Sequence, residues 1–136
     1  MDQMGITPAN YGVIHADLSF GNLLVQDDEI YIIDFEQLGR GHFLYDLAVL
    51  HAELFNDPTT VAALWASLVA GYKEVAPLPF REASELAPFT VATHLNFLDW
   101  VYNTTNPTVL TAKAALVPAT YASIQRWVDQ LAHTSD

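Results

Sequence analysis

Two short apolar runs near the start of the chain show the pattern of a β-hairpin. Residues 23–25 and 30–33 are rich in leucine, valine and isoleucine, and the polar pair Asp27 and Asp28 lies between them. Because β-branched and aromatic residues flank turn-forming residues here, we predict two strands joined by a tight turn. A third apolar run at residues 11–14 predicts a strand just before this hairpin.

The rest of the chain has the periodicity of amphipathic helices. Residues 35–43 predict a loop, in which Gly39 and Gly41 permit positive φ angles. Apolar residues then recur at i, i+3, i+4 and i+7. The predicted helices cover residues 44–56, 59–74, 82–103 and 108–133.

Prolines and one histidine refine these helical predictions. Pro88 either kinks the third helix or marks a new start, and Pro118 predicts an interruption of the last one. The predicted apolar face of the third helix includes Phe97 and Trp100.

His51 lies on the apolar stripe of the first helix. With no second ligand at i+4, we interpret it as a core residue and not as a metal ligand.

Three polar residues lie at the edges of the predicted hairpin. If the hairpin folds back on itself, Asn22, which precedes its first strand, meets Asp34, which follows its second. Asp17 lies five residues upstream of Asn22. Carboxylate and amide oxygens suit Mg²⁺, and a remaining carboxylate can orient a hydroxyl or accept its proton. This combination is what phosphoryl transfer requires, although Asp and Asn also favour ordinary turns.

Three motifs in one order carry a family resemblance. H-A-D-L-S-F-G-N fills residues 15–22, I-D-F-E fills residues 33–36, and G-R-G-H-F-L-Y-D-L-A fills residues 39–48. Together they resemble the catalytic core of the aminoglycoside phosphotransferase and choline kinase superfamily, small-molecule kinases related in fold to protein kinases. The spacing of five between the Asp and the Asn matches the kinase catalytic loop.

The resemblance implies a role for each matching residue. Asp17 would be the catalytic Asp that orients or receives the acceptor hydroxyl, and Asn22 and Asp34 would bind Mg²⁺. His15 and Asp46 would be structural, bracing the catalytic loop.

The acceptor site is less well defined by this resemblance. Ser19 stands where many relatives carry His, which leaves the acceptor specificity open. Ser19, Glu36 and Asp99 are the candidate substrate-binding residues, since relatives line the acceptor pocket with helices of this C-terminal region. For Glu36 the competing explanation is a solvent-facing or local side chain, and for Asp99 it is buried structural hydrogen bonding.

The implied fold is α+β and mostly helical. We expect a single domain over residues 1–136, a segment of a kinase-like C-terminal lobe. Residues 1–43 would form the catalytic loop and a small β-hairpin, and residues 44–136 four or five helices. The implied activity is an ATP- and Mg²⁺-dependent phosphotransferase that transfers a γ-phosphoryl group to a hydroxyl of a small molecule.

Kinases of this superfamily carry an N-terminal nucleotide lobe with a phosphate-binding lysine. Here the catalytic motif starts at residue 15, and the first lysine is Lys73. We therefore expect that the chain lacks this lobe and is incomplete as an enzyme. The alternative function is a non-catalytic, kinase-derived interaction or dimerisation module.

Composition narrows the possibilities further. The chain is 51% hydrophobic. We therefore expect apolar helix faces that the rest of the chain does not cover, and such faces predict a homo-oligomer. It contains no cysteine, which excludes disulfides and thiolate metal sites and is compatible with the cytoplasm. No apolar run approaches the ~20 residues that span a bilayer, so we predict no membrane insertion.

The net charge of −11 argues against binding to nucleic acid, because phosphate backbones require clustered cations. Solubility is the simpler explanation of the acidic balance. The alternative is attraction of a cationic acceptor, such as an amino sugar or an amino alcohol.

Overall fold

Strands gather in the first third of the chain, and helices make up most of the rest. The computed structural model describes residues 5–54 and 58–133. Four short strands precede the first helix in these residues: β1 Tyr11–Ile14, β2 Leu23–Gln26, β3 Glu29–Ile32 and β4 Gly39–His42. The mostly helical α+β fold predicted from the sequence is confirmed.

β2 and β3 form the predicted hairpin. They pair antiparallel, with Leu23 opposite Ile32. Asp27 and Asp28 connect them with φ angles of 52° and 64°. Positive φ at both central residues is what a two-residue type I′ turn requires, and its twist matches that of the strands. The backbone N–H of Ile33 also donates to the carbonyl of Asn22 at 3.0 Å, so the pairing extends one residue beyond the strands.

The prediction of a loop at residues 35–43 is wrong for most of that segment. A 3₁₀ turn occupies Phe35–Gln37, and β4 then pairs antiparallel with β1. In the described residues no glycine has a positive φ. Gly41 instead allows close packing, because a Cβ there would overlap the side chain of Ile14. Gly12 is similar, since a Cβ would lie 2.7 Å from the ring of Phe43.

Four α-helices follow in the part of the chain that the structure describes, within the predicted range of four or five. They are α1 Leu44–Leu54, α2 Pro58–Val75, α3 Ala87–Asn103 and α4 Pro107–His133. The predicted end of the first helix near residue 56 lies outside the described residues. Pro88 stands in the first turn of α3, so it marks a new start. The predicted interruption at Pro118 is wrong, because α4 runs through it.

The core lies where α1 and α3 meet, with side chains of α2 packed against it. Leu44, Leu47 and Ala48 of α1 are buried together with Leu86. α3 lies between α1 and α4 and contacts both. Its buried residues are Ala87, Thr90, Leu98 and Val101.

Two aromatic residues on α3 do not face this core. Phe97 and Trp100 are 37% and 49% exposed, so this part of the predicted apolar face is accessible to solvent. α3 turns its small and aliphatic residues inward because neighbouring helices cover it on two sides.

His51 is a core residue, as predicted. Its ring lies between those of Trp65 and Trp127, with centroids 4.6 Å and 5.4 Å away. Burial disfavours the charged form and lowers the pKa of His51 to about 4. No helix in residues 5–54 and 58–133 is long and apolar enough to cross a membrane.

Candidate active site

The loop between β1 and β2 is held by a carboxylate from α1. Asp46, in the first turn of that helix, accepts hydrogen bonds from two consecutive backbone amides. Its Oδ2 lies 2.9 Å from the nitrogen of His15, and its Oδ1 lies 2.8 Å from that of Ala16. Hydrogen bonds to a charged acceptor are the stronger kind, so this pair fixes the start of the loop.

The backbone turns sharply at Ala16. This residue has a φ of 66°, in the left-handed region that a residue with a Cβ seldom adopts. The strain is on the order of 1 kcal/mol. The two bonds from Asp46 to this segment offset that cost. Strained residues of this kind cluster at functional sites, and here the next residue is the exposed Asp17.

His15 joins this loop to the end of β3. The buried ring accepts a hydrogen bond at Nδ1 from the backbone N–H of Asp17, at 3.3 Å. Its Nε2 lies 2.9 Å from the carbonyl oxygen of Ile33. Since a carbonyl only accepts, Nε2 carries the proton and Nδ1 is the acceptor. The ring also packs on Phe35, with centroids 4.9 Å apart.

Asp17 and Asn22 are in direct contact. The Nδ2 of Asn22 donates to the carbonyl oxygen of Asp17 at 2.8 Å and to its carboxylate Oδ2 at 3.1 Å. The amide nitrogen thus bonds to Asp17, and the amide oxygen is available as a ligand for a cation.

Asp34 lies next to this pair along the hairpin. It directly follows Ile33, whose N–H bonds to Asn22. Asp34 is exposed and has a φ of 63°, another left-handed residue with a Cβ. Within residues 5–54 and 58–133 its carboxylate has no hydrogen-bond partner. The hairpin therefore places Asn22 and Asp34 at the same end, the one opposite its turn, as the sequence pattern predicts.

The oxygen atoms at this end of the hairpin suit a hard cation as ligands. Among the described residues, no cluster of three or more His, Cys, Asp or Glu is arranged to hold a metal ion. The candidate ligands are instead one amide oxygen, from Asn22, and the carboxylate of Asp34. Oxygen ligands of this kind suit Mg²⁺, which usually takes only one or two protein carboxylates.

The three candidate substrate residues belong to three different elements. Ser19 belongs to the loop, and its carbonyl accepts from the N–H of Asn22 at 3.0 Å. Glu36 is exposed in the 3₁₀ turn after Asp34. Asp99 is exposed on α3, where its Oδ1 accepts from Asn103 at 3.0 Å.

Sequence reasoning missed two polar contacts around the loop. Glu53 accepts a hydrogen bond from the backbone N–H of Phe20 at 2.6 Å, so α1 holds the loop at both ends. A signal existed, since Asp46 and Glu53 are seven residues apart and lie on one helix face. The second contact joins Tyr45 of α1 to Asn96 of α3, whose Nδ2 donates to the phenol oxygen.

The pKa of Tyr45 depends on its burial, on its bond to Asn96 and on carboxylates of the loop region. Burial is the largest effect and raises the pKa of Tyr45, the bond from Asn96 comes next and lowers it, and the carboxylates of Asp17 and Asp46 raise it by less. The phenol therefore stays protonated at neutral pH.

Comparison with known proteins agrees with this geometry. A family model described as "Phosphotransferase enzyme family" matches residues 6–78, which include the loop between β1 and β2, the hairpin and α1. The chain belongs to the phosphotransferase enzyme family. The predicted resemblance to these kinases is confirmed.

Individual members of the family are similar over part of their length. The homoserine kinase of Methylobacterium radiotolerans is 38% identical over 98 residues, 66% of this chain and 30% of that protein. The homoserine kinase of Neisseria meningitidis serogroup B is 38% identical over 78 residues, 52% of this chain and 24% of that protein.

A solved structure shares the fold. The microcompartment-associated aminopropanol kinase superposes with a TM-score of 0.73 at 29% identity, over 95% of this chain and 41% of that one. The chain thus spans less than half the length of each of these relatives.

Proposed function

We propose that this chain carries the catalytic segment of an ATP- and Mg²⁺-dependent kinase that phosphorylates a hydroxyl of a small molecule. The observation that carries the proposal is the contact between Asp17 and Asn22, in a loop fixed by Asp46 and in a chain of the phosphotransferase family. Such an enzyme works where ATP is available, so a cytoplasmic location is part of the proposal.

Each polar residue of the loop has a role in this proposal. Asp17 orients the acceptor hydroxyl and accepts its proton, and Asn22 holds the Asp17 carboxylate in place through Nδ2. Asn22, through its amide oxygen, and Asp34 would hold Mg²⁺, which when bound neutralises phosphate charge.

His15 and Asp46 support this arrangement without touching substrate. The ring of His15 ties the amide of Asp17 to the strand that ends before Asp34. Asp46 holds the strained turn at Ala16. These contacts preserve the spacing between Asp17, which orients the nucleophile, and the metal ligands.

The acceptor is proposed to be a small hydroxyl compound that also bears an amine. Homoserine and aminopropanol, after which the similar kinases are named, both combine these two groups. The net charge of −11 supports a cationic acceptor. Asp99 is the proposed partner of the ammonium group, with Ser19 and Glu36 as further substrate contacts.

Calorimetric titration with Mg-ATP tests the catalytic proposal. We expect the wild-type chain to bind Mg-ATP and Asp34→Ala to abolish binding. Glu74→Ala is the charge-matched control, because Glu74 is exposed on α2 and remote from the loop in sequence. Equal binding by Asp34→Ala and wild type would contradict the role of Asp34. No binding by the wild type would leave either the non-catalytic interaction module or a fragment of the enzyme.

Self-association is the second part of this proposal. The cross-strand pair Val25 and Ile30 is 75% and 66% exposed, and further apolar residues of the hairpin are exposed beside it. Large apolar surfaces of this kind usually mark an interface, and a second copy of the chain is the proposed occupant.

Light scattering after size-exclusion chromatography tests the dimer. The expected mass is twice 15.1 kDa. The double variant Val25→Thr, Ile30→Thr keeps strand propensity, removes apolar surface and should be monomeric. A wild-type chain that is a stable monomer at micromolar concentration would rule out self-association.

A further inference from the structure

The short turn that carries one candidate metal ligand does not cap itself. This 3₁₀ turn, Phe20–Asn22, ends at Asn22, and Ser19 precedes it in an extended conformation, with φ −85° and ψ 161°. Serine is a preferred residue at such a position, because its hydroxyl can accept from the first amides of the turn. Among the described residues, the hydroxyl of Ser19 makes no capping bond to this turn. The acceptor for its first amide comes from another element.

Glu53 of α1 supplies this acceptor. Its carboxylate Oε2 lies 2.6 Å from the backbone nitrogen of Phe20, the first residue of the turn. Hydrogen bonds to a charged acceptor are the stronger kind, so Glu53 takes the place of a capping side chain. From the same helix, Asp46 accepts from the amide of Ala16 at 2.8 Å. Asp46 and Glu53 are seven residues apart, so they share one face of α1 and lie about 10 Å apart along its axis.

The two carboxylates hold different parts of the loop. Asp46 holds the segment that leads to Asp17. Glu53 holds the turn that ends at Asn22. Only one residue separates Phe20 from Asn22, so a shift of the Phe20 amide changes the direction of the Asn22 side chain.

The chemistry of its neighbours fixes the orientation of the Asn22 amide. Its Nδ2 lies 2.8 Å from the carbonyl oxygen of Asp17 and 3.1 Å from the carboxylate Oδ2 of the same residue. Because a carbonyl and a carboxylate only accept, the amide nitrogen and not the amide oxygen faces Asp17. A turn that moved would break this pair of bonds.

We propose that Glu53 is a positioning residue for Asn22: by holding the first amide of the turn, it keeps the amide nitrogen of Asn22 on Asp17 and leaves the amide oxygen available to a cation. Glu53 acts through the turn and not by contact with the cation or the substrate. The cation in this inference rests on the proposed kinase function, whereas the orientation of Asn22 does not depend on it.

Exposure separates positioning from stability at this contact. The bond from Phe20 to Glu53 is exposed to solvent, so water replaces either partner when the other is removed. The bond from Ala16 to Asp46 is partly buried, so its loss costs stability. We therefore expect Glu53 variants to be nearly as stable as the wild type and yet to misplace Asn22.

NMR of the side-chain amide of Asn22 tests the inference without turnover and without metal. Asp17→Ala removes the carboxylate acceptor and gives the reference shift for a released amide. We expect the resonance in Glu53→Ala to move from its wild-type position toward this reference. Glu74→Ala is the control, because it removes an exposed acid from α2 and should leave the resonance unchanged.

Two conservative variants distinguish positioning from a general effect of charge. Glu53→Gln keeps the length of the side chain and an acceptor oxygen, but removes the charge. Glu53→Asp keeps the charge, but its side chain is one methylene shorter and should not reach the amide of Phe20. Positioning predicts a resonance of Asn22 near the wild-type position in Glu53→Gln and a displaced one in Glu53→Asp. An effect of charge predicts the opposite order, and this comparison does not require Glu53→Ala to fold.

Titration with Mn²⁺, followed by water proton relaxation, relates this position to cation binding. Mn²⁺ prefers the same oxygen ligands as Mg²⁺. Removing a group bonded directly to a metal ligand typically weakens metal affinity by about 10-fold to 100-fold. Glu53 acts one step further away, so we expect Glu53→Asp to bind Mn²⁺ about threefold to tenfold more weakly than the wild type, and Glu53→Gln to lose less.

The outcomes separate this inference from the proposed function. A resonance of Asn22 at its wild-type position in Glu53→Asp would overturn the inference, and so would a larger displacement in Glu53→Gln than in Glu53→Asp. A loss of stability in Glu53→Ala as large as that in Asp46→Ala, with the resonance unchanged, would show a purely structural role and overturn it as well. A wild-type chain that binds neither Mn²⁺ nor Mg-ATP would contradict the proposed function, and the resonance would still decide whether Glu53 positions Asn22.

Discussion

The Nε2 of His15 lies 2.9 Å from the carbonyl oxygen of Ile33, and through this contact one buried ring joins two parts of the candidate site. The other ring nitrogen accepts from the amide of Asp17. Asp34 is the residue after Ile33. One imidazole in one tautomer therefore helps to set the separation between Asp17 and Asp34, together with the bonds of Asn22 to Asp17 and to Ile33.

Replacing His15 by Phe should lower the free energy of unfolding by about 1 to 3 kcal/mol, because two hydrogen bonds that are partly shielded from solvent are lost. The aromatic contact with Phe35 is kept. His15→Gln restores one amide donor and acceptor, so its loss should be smaller. Urea denaturation measures both. Equal stability of His15→Phe and wild type would show that the ring contributes only apolar packing.

Removing the Asp46 carboxylate should be more costly. Asp46→Ala leaves the amides of His15 and Ala16 without their charged acceptor, and we expect a loss of about 3 kcal/mol. Asp46→Asn keeps one acceptor and should lose less. Asp129→Ala on α4 is the control, since Asp129 accepts only an exposed bond from Gln125. That control should change stability by less than about 0.5 kcal/mol, measured by thermal unfolding. A control as destabilised as Asp46→Ala would point to a general effect of charge.

His51 predicts a dependence of stability on pH. Its pKa is about 4 in the folded chain and near 6.5 when unfolded. Between these values the unfolded state binds a proton that the folded state rejects, so stability falls as the pH drops from 6.5 to 4. Above pH 6.5 this contribution is fully present. The loss should be about 1 to 3 kcal/mol, allowing for partial solvent screening.

Denaturation at several pH values, compared between wild type and His51→Gln, measures this effect. The difference between the two chains cancels the titration of shared carboxylates, and the variant should be less sensitive over this range. Parallel profiles for wild type and His51→Gln would show that His51 is solvated in the fold.

Two glycines should respond to alanine in opposite ways. Gly71 lies within α2, and an added methyl group there would meet nothing within 4 Å, so Gly71→Ala should stabilise by about 0.5 to 1 kcal/mol through helix propensity. Gly12→Ala would meet the ring of Phe43 at 2.7 Å and should destabilise by about 1 to 3 kcal/mol. Thermal unfolding of both variants gives the comparison. A stabilised Gly12→Ala would mean that Phe43 moves freely.

Local pattern in the sequence was sufficient for much of the fold. The hairpin followed from two apolar runs around Asp27 and Asp28, and the helices followed from their periodicity. The placement of Asn22 beside the strand that leads to Asp34 also followed, because hairpin geometry relates residues that are close in sequence. The roles of these residues stay predictions.

Pairing between distant residues was decided only by the tertiary structure. β4 has the sequence G-R-G-H, which lacks a strand pattern, and it forms because β1 lies alongside it. The contact between Tyr45 and Asn96 joins helices whose packing no local period determines. In the same way, the buried face of α3 depends on which neighbours cover it. Periodicity records which residues share a face, whereas only packing decides what that face meets.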